Sequence, residues 1–454
     1  MSRGEENWPR LLGFADPSCG VRVSGPRSVW AGPLDVSGLA VAGVREAACA
    51  AASLAHRRGA SPGFTVDSRA VAAALASLDR LRVDGRALQA WAGLSGFFPT
   101  GDGWVRLHAN YPHHRRALLS ALSVGAEDDE TAAGLVRRAL ADMTAVEAED
   151  QVRAAGGVAA AVRTAESWRQ HPQGSAVLGE PLVAIETTGV PGAALGRTGE
   201  LPLSGLRVLD LTRVIAGPVA TRTLGALGAE VLRIDPPHRP ELLEQHLDTG
   251  FAKRSALADL RRPGQRERVE ELVSAADVVI TGYRPAALAG FGLGAEQLLQ
   301  RHPGLVVGEL AAWGFTGPWS RERGFDSIVQ AASGIAHRYR KRDGRPGALP
   351  VQALDHSAGY LLAAAVMRLL ARRPETGGGV VRVSLARVAR ELLGMAAPEP
   401  GAEEPEPWPL RTCECPHGEL AYVPPPFLLD GEQLDYSSPP SRYGQDDLVW
   451  RSAR

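Results

Sequence analysis

The clearest pattern in the chain runs from residue 201 to 395, where short apolar runs alternate with stretches of helical spacing. Leu206-Arg-Val-Leu-Asp-Leu-Thr212 is mostly apolar and short, which suits a buried strand. Residues 216–227 follow with helical periodicity. The strand signal returns at 230–235, 255–260, 277–283 and 305–310, with helices predicted near 264–275 and 285–301. Strands alternating with helices imply βαβ units and a parallel sheet covered on both faces. The expectation is an α/β chain: a Rossmann-like parallel sheet core with a smaller α+β domain.

The flanks read differently. Residues 1–200 are rich in Ala and Arg and read as helices with a few strands. They carry an echo of the later region: 54–72 and 370–389 are each an Ala-rich helix ending in arginines, a Gly turn, a short strand and another helix. The echo suggests that the first region contains a decayed copy of part of the later one. Residues 396–409 are acidic and proline-rich, which excludes a regular helix or central strand. The tail that follows, rich in Pro, Tyr and Ser, either wraps on another surface or stays partly mobile.

Composition narrows the function classes. The 454 residues hold 50 Lys plus Arg against 51 Asp plus Glu, a net charge of −1. That argues against nucleic acid as a partner but allows a local pocket for a phosphorylated small molecule. The four cysteines, Cys19, Cys49, Cys413 and Cys415, are too few and scattered for a disulfide framework. The first 17 residues are polar, and the Ala-rich stretches are broken by charged side chains, so neither a signal peptide nor a membrane span is expected. The expectation is a cytoplasmic, reduced, soluble protein. The loop after the first strand lacks G-x-G-x-x-G, so Asp235 reads as an ordinary strand-end acid rather than a ribose ligand. Cys413-Glu-Cys-Pro-His417 falls short of a zinc signature, and no metal is expected.

The remaining signal is a series of segments in fixed order. They are Leu206–Thr212 with Ala216-Gly-Pro218, then 227–234, Lys253-Arg-Ser255, 276–280 and Tyr283-Arg-Pro285. Gly314-Phe-Thr-Gly-Pro318, 324–334 and Leu354-Asp-His-Ser-Ala-Gly359 complete it. Together they resemble the class III CoA-transferases, the family of formyl-CoA and carnitine CoA-transferases. Residues 98–107 resemble that family's "p-t-x-D-G-x-v" strand, and 156–168 with His171-Pro-Gln173 resemble its small-domain ending. Those parts normally come second, so the halves stand in swapped order, as after fusion of two copies with partial loss. The implied division is a degenerate, permuted second-half copy with the small domain over 1–200, a CoA-binding and catalytic domain over 201–395, and a linker and tail over 396–454. The family's interlocked dimers imply a homodimer or a single-chain equivalent.

The resemblance implies transfer of CoA from an acyl-CoA to a carboxylic acid, with CoA as co-substrate, no tightly bound cofactor, and neither nucleic acid nor membrane as partner. Asp355 matches the family's nucleophile. It also precedes an Ala-rich helix whose free N–H groups would favour the ionised carboxylate. By local sequence alone Asp355 reads first as a helix cap; the series of motifs around it is what favours the nucleophile. Lys253 and Arg254 stand at the family's "K-R-S" near the nucleotide. Arg323 stands before Gly324-Phe325-Asp326, Arg233 near the end of the second strand, and Tyr283 where an aromatic lines the adenine pocket. For each, a solvated or core role remains the alternative. Phe325 replaces the His of the family's racemase branch, and a phenyl ring exchanges no proton. His356 reads as a surface or supporting side chain, with an acid/base role as the lesser alternative. Gly282 replaces a usual Asn, and the basic run at 337–342 replaces a small apolar stretch, which leaves a catalytically silent CoA-binding protein as the alternative.

Overall fold

The computed structural model describes residues 19–89, 91–398 and 407–451. The chain is a mixed α/β protein. Its main sheet has seven strands: β1 (Val183–Thr187), β2 (Arg207–Leu211), β3 (Glu230–Asp235), β4 (Arg254–Leu257), β5 (Val278–Thr281), β6 (Val306–Ala311) and β7 (Gly379–Ser384). The order is β4-β3-β2-β5-β6-β7-β1. All neighbours are parallel except β1, which runs antiparallel to β7. The predicted strands are short runs with a core of Val, Leu and Ile; β2 and β5 are buried along their whole length, in β2 with Arg207 and Asp210 included. The helix expected over 285–301 is only a short turn at Ala289–Phe291 and a helix over Ala295–Arg301, because Pro285 and the glycines at 290, 292 and 294 interrupt it.

Three apolar helices stack beside the sheet: α1 (Val36–Arg57), α2 (Ala216–Ala226) and α3 (Ala353–Thr376). The central one, α3, packs against both α1 and α2. α1 is long and apolar enough, by length and composition, to cross a membrane, which the sequence reading did not expect. It is a core helix here, because its small Ala-rich surface lets it lie against α3. The internal echo corresponds to one repeated succession. α1 leads to strand Phe64–Asp67 and helix Ser68–Leu75, and α3 leads to β7 and helix Leu385–Gly394.

A smaller antiparallel sheet, Gly96–Pro99, Trp104–Leu107 and Ala159–Ala161, is covered by helices Pro112–Ala121, Asp129–Leu140 and Ala145–Ala154. The amide of Arg163 donates to the carbonyl of Ala331, which ties this unit to the main body.

The tail wraps. Its hairpin, Arg411–Cys415 with Gly418–Tyr422, pairs with strand Arg82–Val83. Beyond it, the indole N–H of Trp450 donates to the carbonyl of Leu272 beside the main sheet. Residues 399–406 of the proline-rich linker and the first 18 residues lie outside the described residues. The expectation of reduced cysteines is overturned at one pair. Cys19 and Cys49, the latter on α1, form a disulfide with Cα atoms 5.6 Å apart.

Candidate active site

In an open parallel sheet, the crevice for ligands opens at the carboxyl ends of the strands where the order reverses. Here that point lies between β2 and β5. A cavity of about 250 Å³ occupies it. Its walls come from the segments leaving those strands: Arg213 to Ala216 after β2, Gly282 to Pro285 after β5, and Ala311 and Ala312 at the end of β6. Tyr111, His113 and His114, at the start of helix Pro112–Ala121, close it from the smaller unit.

This first chamber is electropositive. Arg213, Arg239, Arg284 and Arg323 all border it. Burial, Arg284 and Arg239 lower the pKa of Arg323, the mark of guanidinium groups not fully neutralised by their surroundings. Burial and the same cations bring His113 down to about 4. Burial, with His113, His108 and Arg323, brings His114 to about 2. Both imidazoles are therefore neutral near pH 7.

The wall after β2 is strained. Val214 has φ +70°, a left-handed conformation rare for a β-branched residue. It is held because its N–H donates to Glu241 Oε2 at 2.9 Å. The Tyr111 hydroxyl donates to Glu241 Oε1 at 2.5 Å, and Arg233 donates to Oε2 at 3.0 Å. Burial pushes the Glu241 carboxyl up, but Arg233, Arg213 and these hydrogen bonds bring it down to about 2.

Asp355 sits where this chamber meets a second one, of about 410 Å³, and Phe325, Val214 and Ile215 also border both. Asp355 is the third residue of α3 and does not cap it. The cap comes from Asp326, whose Oδ2 accepts the N–H groups of Leu354 and Asp355 at 2.9 and 3.0 Å. Gln330 donates to Asp326 Oδ1 at 2.5 Å. The expected stabilisation of an ionised Asp355 by the helix terminus is thus reversed, because Asp326 takes the N–H groups. Burial first, and the charge of Asp326 second, push the Asp355 carboxyl well above the usual carboxylate range. Asp326 itself is raised to about 6 by burial, against the three hydrogen bonds it accepts. Of the pair, Asp326 carries the charge first and Asp355 holds the proton longer.

The other sequence candidates divide. Tyr283 and Arg323 border the first chamber with Asp355. Lys253 does not: its ammonium is buried and donates to Asp210 Oδ2 (3.0 Å), the Pro218 carbonyl (2.9 Å) and Thr221 Oγ1 (2.6 Å). Arg233 is 1% exposed and is committed to Asp235 and Glu241, so it positions the wall rather than lining it. Arg254 is covered by the tail and donates to the carbonyls of Val449 and Asp447. His356 is buried beside the second chamber, and burial with Arg222 brings it to about 3. The basic run at 337–342 borders a separate depression. Among the described residues, no group of three His, Cys, Asp or Glu could hold a metal ion.

Sequence reasoning missed Arg213, Arg239, Arg284, Glu241 and the pair His113 and His114. Arg284 and Asp326 lay inside quoted motifs. For the histidines no local signal existed, because only the fold brings helix Pro112–Ala121 over the strand ends.

Several known proteins are similar to this chain. A probable fatty acyl-CoA transferase, Rv3272, of Mycobacterium tuberculosis is 33% identical over 226 residues, 46% of this chain and 57% of the relative. Human succinyl-CoA:glutarate CoA-transferase is 32% identical over 191 residues, 39% of this chain and 44% of the relative. A crystal structure of Rv3272 covers 42% of this chain and 56% of its own, with 34% identity and a TM-score of 0.40. A CAIB/BAIF family protein from Brucella suis covers 43% and 56%, with 28% identity and a TM-score of 0.39. The chain spans about half the length of these curated relatives. Residues 203–416 match the model of CoA-transferase family III, a segment that holds strands β2 to β7, the cavity walls that leave β2, β5 and β6, and Asp355.

Proposed function

We propose that this chain transfers CoA from an acyl-CoA to a carboxylic acid, with Asp355 as the covalent relay. The observation that carries the reading is the position of Asp355 at the junction of an arginine-bordered cavity and a second chamber. CoA is a polyanion, and Arg239, Arg284 and Arg323 form the cation set that would hold its phosphates, in place of Lys253, Arg233 and Arg254. Tyr283 lines the same wall for the adenine.

The chemistry is four exchanges at one carboxyl. Ionised Asp355 attacks the thioester carbon; a C–O bond forms, the C–S bond breaks, and CoA leaves as thiolate. The thiolate attacks the Asp355 carbonyl of the anhydride, releasing the donor acid and leaving an aspartyl-CoA thioester. An acceptor carboxylate attacks that carbonyl and expels CoA thiolate, giving a second anhydride. The thiolate then attacks the acceptor's carbonyl, which restores Asp355 and yields the new acyl-CoA. The first attack needs the ionised carboxylate, so the proton that burial and Asp326 hold on Asp355 must leave beforehand.

The first region supports a single site per chain. Aligning Gly43 of α1 with Gly359 of α3 puts Leu39 where α3 has Asp355, so the echo supplies no second nucleophile. Tyr111, His113 and His114 reach the cavity from the same chain, which supports the single-chain equivalent of an interlocked dimer.

Intact-mass spectrometry after incubation with acyl-CoAs, followed by hydroxylamine, tests the reading. A CoA adduct or hydroxamate mapping to Asp355, absent in Asp355→Ala, is expected. Acyl-CoA binding without modification of Asp355 would leave the catalytically silent CoA-binding protein as the function.

A further inference from the structure

The second chamber holds an arrangement that the transfer chemistry does not use. Five buried polar atoms on its walls have no hydrogen-bond partner among the described residues: Arg106 Nε, His108 Nδ1, Gln245 Oε1, Ser327 Oγ and His356 Nδ1. Buried polar groups are nearly always paired, so a cluster of orphans around one space marks a place for a polar ligand. Arg106 is the only cation among the five that is charged near pH 7. It is 9% exposed. Its guanidinium lies 4.9 Å from the Phe97 ring centre and 5.2 Å from that of Trp91, flanked by aromatic rings.

The carboxylates nearby do not answer this charge. Asp326 acts on Arg106 from a distance, but both its oxygens are already committed to Gln330, Leu354 and Asp355. Asp248 is paired with Arg222 at 3.2 Å, and Asp79 is exposed. His108 and His356 stay neutral through burial, with Arg106 and Arg222 adding to the effect. Burial lowers Arg106 only to about 10, so it remains a cation at neutral pH. A desolvated, unpaired cation is costly unless a ligand supplies the anion.

Resting on the transferase reading, we infer that the second chamber is an acyl subsite for groups ending in a carboxylate, with Arg106 as the residue that selects them. The thioester or attacking carboxyl lies at Asp355, and the far carboxylate meets Arg106 across the chamber that both border. The substrate class is therefore a dicarboxylic acid and its mono-CoA ester. A monocarboxylic group of equal length would leave the guanidinium buried and unanswered, and a site built to bond a polar group strongly rejects the analogue that lacks it.

The test uses the full-length protein with succinyl-, glutaryl- and adipoyl-CoA against butyryl-, pentanoyl- and hexanoyl-CoA. Free glutarate and pentanoate are titrated in parallel by calorimetry. The expected kcat/KM ratio of dicarboxylic to monocarboxylic ester is at least about 100 in the wild type. It should collapse by a similar factor in Arg106→Leu and partly recover in Arg106→Lys. Unchanged calorimetric affinity of the variants for CoA certifies that they are folded. Turnover without a dicarboxylic preference, or a preference that survives Arg106→Leu, overturns the subsite and leaves the transferase reading standing. If no ester is turned over, the titration decides. Glutarate binding that depends on Arg106 keeps the subsite while the transferase reading falls, and absence of such binding overturns both.

Discussion

Gly359 lies one turn after Asp355 on α3, and replacing it with alanine should damage the site more than the fold. A Cβ at 359 would stand 2.5 Å from the carbonyl oxygen of Ala216 and 2.9 Å from Cβ and Cγ1 of Val219. Carbon atoms in contact sit about 3.5–4.0 Å apart, so the shortfall is about 1 Å. The obstructing atoms are backbone and a β-branched side chain in the first turns of α2, and neither can swing aside. On its other face α3 packs against α1, so it has no free space to retreat into. Overpacking of this kind costs about 1–3 kcal/mol. Alanine returns about 1 kcal/mol through helix propensity, which leaves a net loss of about 0–2 kcal/mol. The displacement is carried to Asp355 one turn away, and a misplacement of about 1 Å costs about 100-fold in rate. The assay is urea unfolding beside kcat for acyl transfer, with Gly43→Ala as the counterpart. Gly43 faces α3 with its nearest neighbours at 3.7 Å, an ordinary contact, so that variant should gain about 0.5–1 kcal/mol and keep its activity. A Gly359→Ala protein that is more stable than wild type and fully active would refute the tight α2–α3 approach and the claim that it places Asp355.

Two further outcomes separate the roles assigned to charged groups. Asp326→Asn removes the neighbouring charge that helps to raise Asp355, while burial remains. Activity needs the carboxylate and so rises with pH through the raised pKa; the acid limb of the kcat/KM profile should move to lower pH, and a limb that stays or moves up counts against the coupling. Asparagine cannot accept from Gln330 in the same way, because the Gln330 oxygen is fixed by the amide of Leu349, so a stability loss of about 1 kcal/mol accompanies the shift. Lys253→Met leaves Asp210 without its buried cation and should cost about 3–5 kcal/mol in denaturant unfolding, with CoA affinity of the folded protein unchanged. A selective loss of CoA affinity at full stability would return Lys253 to the nucleotide.

The main sheet was legible in the sequence because strands buried on both faces are rich in Val, Leu and Ile: β5 is almost wholly apolar, and β2, β3 and β6 keep an apolar core around the charged residues they hold in pairs. The resemblance nominated Asp355, which the fold places at the junction of two chambers; its charge state was not legible. The helix terminus promised an ionised group, but Asp326, 29 residues away in sequence, takes the N–H groups that would have provided it. The basic residues show the same limit more sharply. Lys253, Arg233 and Arg254 stand in or beside the sheet and look alike in sequence to Arg323. Each is spent on a carboxylate brought by the fold: Asp210 at a separation of 43 residues, Glu241 at 8, and Asp446 of the tail at 192. Arg106 is the converse case. It sits on a short strand between Val105 and Leu107, and the alternation fits a half-buried surface strand with its cation in water. It becomes a binding group only because the second chamber closes over it while Asp326 and Asp248 are engaged elsewhere. Whether an arginine binds a ligand depends on whether the fold has left its charge unanswered, and that is decided by acids far away in the chain. A motif can nominate a nucleophile, since its chemistry resides in one side chain. It cannot nominate the cations, since their availability is a property of all the pairs the folded chain has already made.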